Sequence, residues 1–319
     1  MSIQGEITRI GNNVSNAMEV VAAMGVDVPA TASSNDLAAL ISAIPQPTPM
    51  NLLDNSDFRN PVNQRGLTEY ASGSKRYTLD RWRATAAVTV TVNDYYVTFS
   101  NTASTGYAVV QPLTDKQTPK PGEMVTLACE DSDGKVIFGV VRMPLTGSAV
   151  AVTEDGVSLM MYAADGTEKA RFAISLSGNT TKGFKWAALY RAKCNSVPNY
   201  IAKGFAAELA ECQRYYQVIT APANLTLGLA YAINATRVYA HLKLQPMREA
   251  PRLVSADGVR LGKSGFSDNV DTVTVFAFSP NTGDTTLEIA VTSGTSMATG
   301  DVWRLGLAKD TTLAFDADL

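Results

Sequence analysis

The chain has 319 residues, of which 45% are hydrophobic and only 18% charged, with a formal net charge of -3. This length supports a sizeable core and two or three domains, while the low charge, set against roughly 25% in an average soluble chain, leaves Thr, Ser, Asn, Gly and Ala to build much of the surface. The charge balance argues against a dedicated nucleic-acid binder, which needs clustered Lys and Arg, and the single histidine, His241, excludes any site built from two.

The opening residues, Met1-Ser2-Ile3-Gln4-Gly5-Glu6, lack a basic stretch leading into an apolar one, so no secretory leader is expected. No run of about 18 apolar residues occurs, so no membrane insertion is expected either. Apolar residues then recur at Ile3, Ile7, Ile10, Val14, Ala17, Val21 and Met24, with steps that alternate between four and three. This is the heptad rhythm, with Ile7, Val14 and Val21 at a and Ile3, Ile10, Ala17 and Met24 at d. Isoleucine at both seam positions favours three strands over two, and such a helix is on the order of 30 Å long. Ile3, Ile7, Ile10, Val14 and Val21 are the expected oligomer interface. The other reading is an amphipathic helix docked on its own protein or a partner. Under both, the stripe needs something to cover it. Gly25 is the expected C-cap, with Pro29 beyond it.

A second short helix is expected with Ser34 or Asn35 as its cap and Leu37, Leu40, Ile41 and Ile44 on one face. Pro45-Gln46-Pro47-Thr48-Pro49 follows as a stiff linker, which sets a boundary between residues 1–49 and the rest.

Beyond residue 50 the pattern turns to strands. Val88-Thr89-Val90-Thr91-Val92 alternates strictly, as does Asp271 to Phe278. Asp-Gly pairs at Asp133-Gly134, Asp155-Gly156, Asp165-Gly166 and Asp257-Gly258 suit tight hairpins. Many short strands with regular turns predict antiparallel sandwiches. One interruption is helical: Phe205, Leu209, Cys212, Tyr215 and Tyr216 fall at helical spacing within Tyr200 to Val218. This reads as a connector helix, with a second boundary near residue 195. Cys129, Cys194 and Cys212 are far apart and form no C-x-x-C, so they read as buried reduced thiols.

Two stretches resemble a known family. Asn51-Leu52-Leu53-Asp54-Asn55-Ser56-Asp57-Phe58, then Asn63-Gln64-Arg65-Gly66 and Tyr77-Thr78-Leu79-Asp80-Arg81-Trp82, resemble the opening of the carbohydrate-binding-module-like jelly roll of bacteriophage and prophage tail-fibre proteins. Phe184-Lys185-Trp186-Ala187-Ala188-Leu189 and Glu208 to Gln217 resemble the close of that domain and the start of the C-terminal tip domain, and Pro246-Met247-Arg248-Glu249-Ala250-Pro251 is similar to a segment such tips carry. The resemblance implies a virion fibre or appendage, a homotrimer that binds a host-surface glycan. Without a long repetitive shaft, the chain fits a tail tip, a baseplate or collar appendage, or a fibre on the head.

The residues themselves offer little chemistry. Cleaving a glycan takes two carboxylates facing each other across the scissile bond. Asp54, Asp57, Glu69, Glu130, Asp131 and Asp133 are the acids at hand, and they read as turn and surface acids. Asp131-Ser132-Asp133-Gly134 lacks the further ligands of a calcium loop and reads as a hairpin turn. No nucleophile elbow or phosphate loop occurs. Asn63 to Gly66 reads first as a structural loop and second as polar sugar contacts. Trp82 reads first as core beside an Asp80–arginine pair and second as a sugar platform, while Tyr95, Tyr96 and Tyr107 complete the glycan-contact candidates. Tyr95 and Tyr96 are expected on a strand, one pointing in and one out. Trp186 and Tyr215-Tyr216 are expected at domain or subunit junctions.

The expectation is therefore a mainly β protein: a helical attachment or trimerisation segment over 1–49, a jelly-roll carbohydrate-binding-like domain over 50–195, and a C-terminal β-sandwich tip with its connector helix over 196–319. No catalytic residue, cofactor or metal is expected. The expected partners are two further copies of the chain, other virion proteins through the N-terminal segment and a host glycan, at the surface of a virion. Two rivals stand: a polysaccharide-cleaving tailspike, and a purely structural decoration or adaptor.

Overall fold

A computed structural model describes residues 2–24, 26–42, 49–73, 76–197, 199–263, 268–291 and 297–317. The heptad segment is helix α1 (Ile3–Ala23), capped by the Ser2 side chain, which accepts from the Gly5 amide at 3.2 Å. Its stripe is largely uncovered: Ile3 is 82%, Ile7 58% and Ile10 55% exposed, while Val14 is half-buried and Val21 alone is buried. Met24 occupies the C-cap, and the expected cap Gly25 lies outside the described residues. Helix α2 (Leu37–Ser42) packs against α1. In the turn before it, the Ser33 amide and hydroxyl both donate to the Asp36 carboxylate, at 2.8 and 2.9 Å. Most of the proline linker, and Ile44, lie outside the described residues.

Twelve strands form the next unit: β1 (Glu69–Tyr70), β2 (Arg76–Tyr77), β3 (Arg83–Ala84), β4 (Val88–Val92), β5 (Val97–Asn101), β6 (Tyr107–Pro112), β7 (Met124–Asp131), β8 (Val136–Arg142), β9 (Ala149–Glu154), β10 (Val157–Tyr162), β11 (Arg171–Leu176) and β12 (Thr180–Tyr190). They make two antiparallel sheets, in the orders β1-β4-β5-β12-β7-β8 and β2-β3-β6-β11-β10-β9. Alternation sends Val88, Val90, Val97 and Phe99 inward from one sheet to meet Val109, Leu159, Phe172 and Ile174 of the other. Edge-to-face rings tie the middle together: Phe58 lies 5.2 Å from Trp82 and 5.7 Å from Phe99, and Trp82 lies 6.2 Å from Phe172. Of the Asp-Gly pairs, only Asp155-Gly156 has both residues at positive φ, 48° and 76°, as a type I′ turn requires. In the other three only the glycine is left-handed.

The chain then crosses the outer face of β12, where the Tyr200 ring stacks on Trp186 at 4.8 Å, and enters helix α3 (Phe205–Cys212). The expected longer helix stops there. Tyr215 and Tyr216 lie beyond it, and Tyr216 opens β13 (Tyr216–Ala221) by pairing with Asp316. Eight more strands follow: β14 (Leu225–Asn234), β15 (Arg237–Lys243), β16 (Arg252–Ser255), β17 (Val259–Gly262), β18 (Asp268–Phe278), β19 (Asp284–Val291), β20 (Val302–Leu307) and β21 (Thr311–Asp316). These are not a second open sandwich. β14-β15-β19-β18-β17-β20 close into a barrel, beside a three-stranded sheet β13-β21-β16. Ala230, Ala232 and Ala240 face the barrel interior with Val238, Leu287, Ile289 and Leu305. Small side chains at these positions let the strands close tightly. Cys129 and Cys212 are buried thiols and Cys194 is half-buried, with no disulfide among them.

Candidate functional site

The sequence-based glycan candidates scatter. Trp82 is wholly buried and its indole N–H donates to the Asn55 carbonyl at 2.8 Å, so it offers no ring face to a sugar and is a core residue. Tyr107 is half-buried against the sandwich interior. Tyr95 and Tyr96 are not on a strand but on the β4–β5 turn, closed by the Asn93 amide donating to the Tyr96 carbonyl at 3.0 Å. Tyr96 is half-buried, its ring over Gly183, where a Cβ would approach it to 2.8 Å. Tyr95 is 75% exposed and stands alone.

The acids considered for hydrolysis are occupied or dispersed. Asp54 pairs with Arg81 at 3.2 Å and Lys203 at 3.5 Å. Burial pushes its carboxyl upward, and these two cations outweigh that and hold it below the usual range. Asp57 pairs with Arg59 at 2.7 Å, and Glu130 accepts from Lys185 at 3.1 Å and from the Trp186 indole at 2.6 Å. Asp131 accepts from the amides of Asp133 and Lys135, which makes that segment a hairpin turn. Glu69 and Asp133 are exposed, on β1 and in that turn. Among the described residues no group of three His, Cys, Asp or Glu is placed to hold a metal.

The segment Asn63 to Gly66 serves the joint between the two β units. It turns at Gly66 (φ 71°), and the Gln64 side chain donates to the Tyr216 carbonyl at 2.8 Å. Arg65 binds Asp80 at 3.0 Å, reaches Asp316 at 3.6 Å and lies 3.9 Å over the Tyr216 ring. Arg81 does the same one residue earlier, 3.6 Å over the Tyr215 ring. Asp80 thus pairs with Arg65, away from the Trp82 ring.

A cluster of exposed rings lies on the outer barrel wall, and none of the sequence-based candidates is part of it. Alternation on β14 and β15 turns Ala230, Ala232, Val238 and Ala240 inward, so Leu229, Tyr231, Tyr239 and His241 face out. Register places Tyr231 between Val302 of β20 and Tyr239 of β15. Phe276, in phase with the exposed Thr272 and Thr274 of β18, also faces out onto this wall, at the bulge between Val275 and Ala277. Its ring stacks on Tyr239 with centroids 4.6 Å apart and planes 27° apart. Phe276 is 58% and Tyr231 46% exposed. Polar groups flank the rings: Glu288, opposite Tyr239, pairs with Arg237 at 3.1 Å, and His241 Nδ1 lies 3.0 Å from the Thr286 hydroxyl. Partial desolvation and the Glu288 charge raise the Tyr239 phenol above its usual range, so it remains a hydrogen-bond donor.

Flat rings flanked by a carboxylate, a guanidinium and an imidazole suit an amphipathic ligand, whose apolar face stacks while its hydroxyls bond at the rim. The sequence signal for this wall was small-large alternation in Leu229-Ala230-Tyr231-Ala232 and Val238-Tyr239-Ala240-His241. Rings there share parity with His241, so they face solvent. In comparison with known proteins, the chain matches no protein-family model and no curated sequence, which leaves the geometry of this wall and of α1 to carry the functional reading.

Proposed function

We propose that this chain is a non-enzymatic fibre or appendage subunit of a phage or phage-derived particle. In this reading it assembles as a homotrimer through α1, its sandwich is a jelly roll of the carbohydrate-binding-module kind, and the barrel wall meets a glycan of the host surface. The observation that carries it is a pair of uncovered apolar surfaces, the α1 stripe and the Tyr231–Tyr239–Phe276 cluster, on a chain poor in charge. Contiguous exposed apolar surface marks a contact site. The heptad spacing of Ile3, Ile7, Ile10, Val14 and Val21 suits three identical helices. Three copies of a weak sugar platform then raise avidity without a deep pocket. The resemblance of residues 51–58 and 208–217 to tail-fibre domains supports the same reading.

The test is binding of the full chain to an array of bacterial O-chains and capsular polysaccharides, alongside Tyr239→Ala with Phe276→Ala. The expected result is binding to at least one polysaccharide, lost at least tenfold in the double variant, with no reducing ends released. Leu229 and Val302 on the same wall favour a second reading, a structural adaptor that docks another virion protein there. A full-length assembly that binds no polysaccharide would replace the first reading with this one, and release of reducing ends would replace both with a tailspike enzyme.

A further inference from the structure

Helix α3 is fastened to the sandwich by a carboxyl group short of partners. Glu208 is 5% exposed. Its Oε2 accepts the Asn55 backbone N–H at 2.6 Å, while its Oε1 is buried with no hydrogen-bond partner. Asn55 is a fixed anchor. Its φ is 48°, its side-chain amide donates to the carbonyls of Val62 and Asp80, and its own carbonyl accepts the Trp82 indole. An ionised carboxylate with a bare buried oxygen is unfavourable, and a protonated one removes the charge while keeping the Asn55 bond.

The surroundings work in the same direction. From the connector, Lys203 is the nearest opposing charge, but its ammonium is already shared between Glu211 at 2.7 Å and Asp54 at 3.5 Å. Glu211 from α3 and Asp54 from the sandwich add like charge, and Arg81 is held by Asp54. The neutral neighbours are the Tyr200 phenol and the Cys212 thiol, both raised by burial.

We propose that Glu208 is a proton-operated latch between α3 and the sandwich. With the carboxyl protonated, α3 seats on Asn55 and holds the barrel unit against the sandwich; when the proton leaves above neutral pH, the seat loosens.

Burial raises the seated carboxyl to about 7, whereas in an open joint it is solvated and returns to the ordinary carboxylate range. The seated state therefore binds the proton more tightly. It gains stability as pH falls below 7 and loses it as pH rises through 7. Asp80, raised by burial to about 6, adds the same sign of dependence at lower pH.

The test is hydrogen–deuterium exchange of the α3 amides in the full chain, at pH 6 and pH 8.5, corrected for intrinsic exchange. For a carboxyl near 7 when seated and near the usual value when open, the opening constant rises about tenfold between these two pH values. Glu208→Gln, a neutral isostere, is expected to remove most of that rise, and Glu211→Gln, which removes a like charge and releases Lys203, to diminish it. A wild-type chain with no rise, or a Glu208→Gln chain with the same rise, would overturn the latch. Infrared difference spectra give an independent readout: at pH 6 the wild type should carry a protonated-carboxyl band that Glu208→Gln lacks, and no such band would also overturn it.

Discussion

The two β units place their largest ring clusters on opposite sides of the wall. In the sandwich, Phe58, Trp82, Phe99, Phe172 and Phe184 are interior. In the barrel, Trp303 is inside while Tyr231, Tyr239 and Phe276 face out. The difference has a geometric cause. Two packed sheets stand about 10 Å apart and leave room for interdigitating rings. A six-stranded barrel closes on a narrower interior, which Ala230, Ala232 and Ala240 suit, so large residues at alternate positions must turn outward. Rings inside hold a fold together, and a cluster of rings outside a wall that is already closed is available for contact.

Substitutions can break this comparison, and the largest effect is expected in the sandwich. Trp82→Ala removes the central ring and its bond to Asn55, and should cost about 3–5 kcal/mol in denaturant unfolding. A cost under 1 kcal/mol would show that the rings do not organise that core. Next comes the joint. Arg65→Ala leaves Asp80 and Asp316 without their shared cation and strips the Tyr216 face, at about 3 kcal/mol by the same measurement. The barrel wall should behave oppositely. Tyr239→Ala with Phe276→Ala should change stability by less than about 1 kcal/mol yet abolish polysaccharide binding. Tyr95→Ala, on its isolated turn, should change neither, with a stability effect within about 0.5 kcal/mol. Equal loss of binding from Tyr95→Ala would move the contact surface to the sandwich.

Much of the fold was legible where one physical rule acted alone. Val88 to Val92 alternates and is a strand, where local pattern and burial agree, and the heptad segment is a helix on its local spacing alone. Legibility failed where distant residues decided. Tyr215 and Tyr216 keep helical spacing, but Arg81 and Arg65 from the sandwich and Asp316 from the last strand claim them, and the helix ends at Cys212. Trp82 was legible as core despite its charged neighbours Asp80 and Arg81, whereas its partner, the Asn55 carbonyl 27 residues earlier that accepts the indole N–H, was not. Phe276 keeps the outward phase of Thr272 and Thr274, but its stacking on Tyr239 depends on β15 and β18 both pairing with β19, which no single segment contains. The contact surface joins residues of β14, β15, β18 and β20, so the closure of the barrel, rather than any single segment, creates it.

The most direct test of the account concerns α1, whose stripe requires a cover. Light scattering on the full chain, with Ile7→Asp and Val14→Asp as the paired variant, measures the assembly itself. The account predicts a mass near three times 34.0 kDa for the wild type and 34.0 kDa for the variant, both with intact β units. A wild-type monomer, or a variant that remains trimeric, would contradict it.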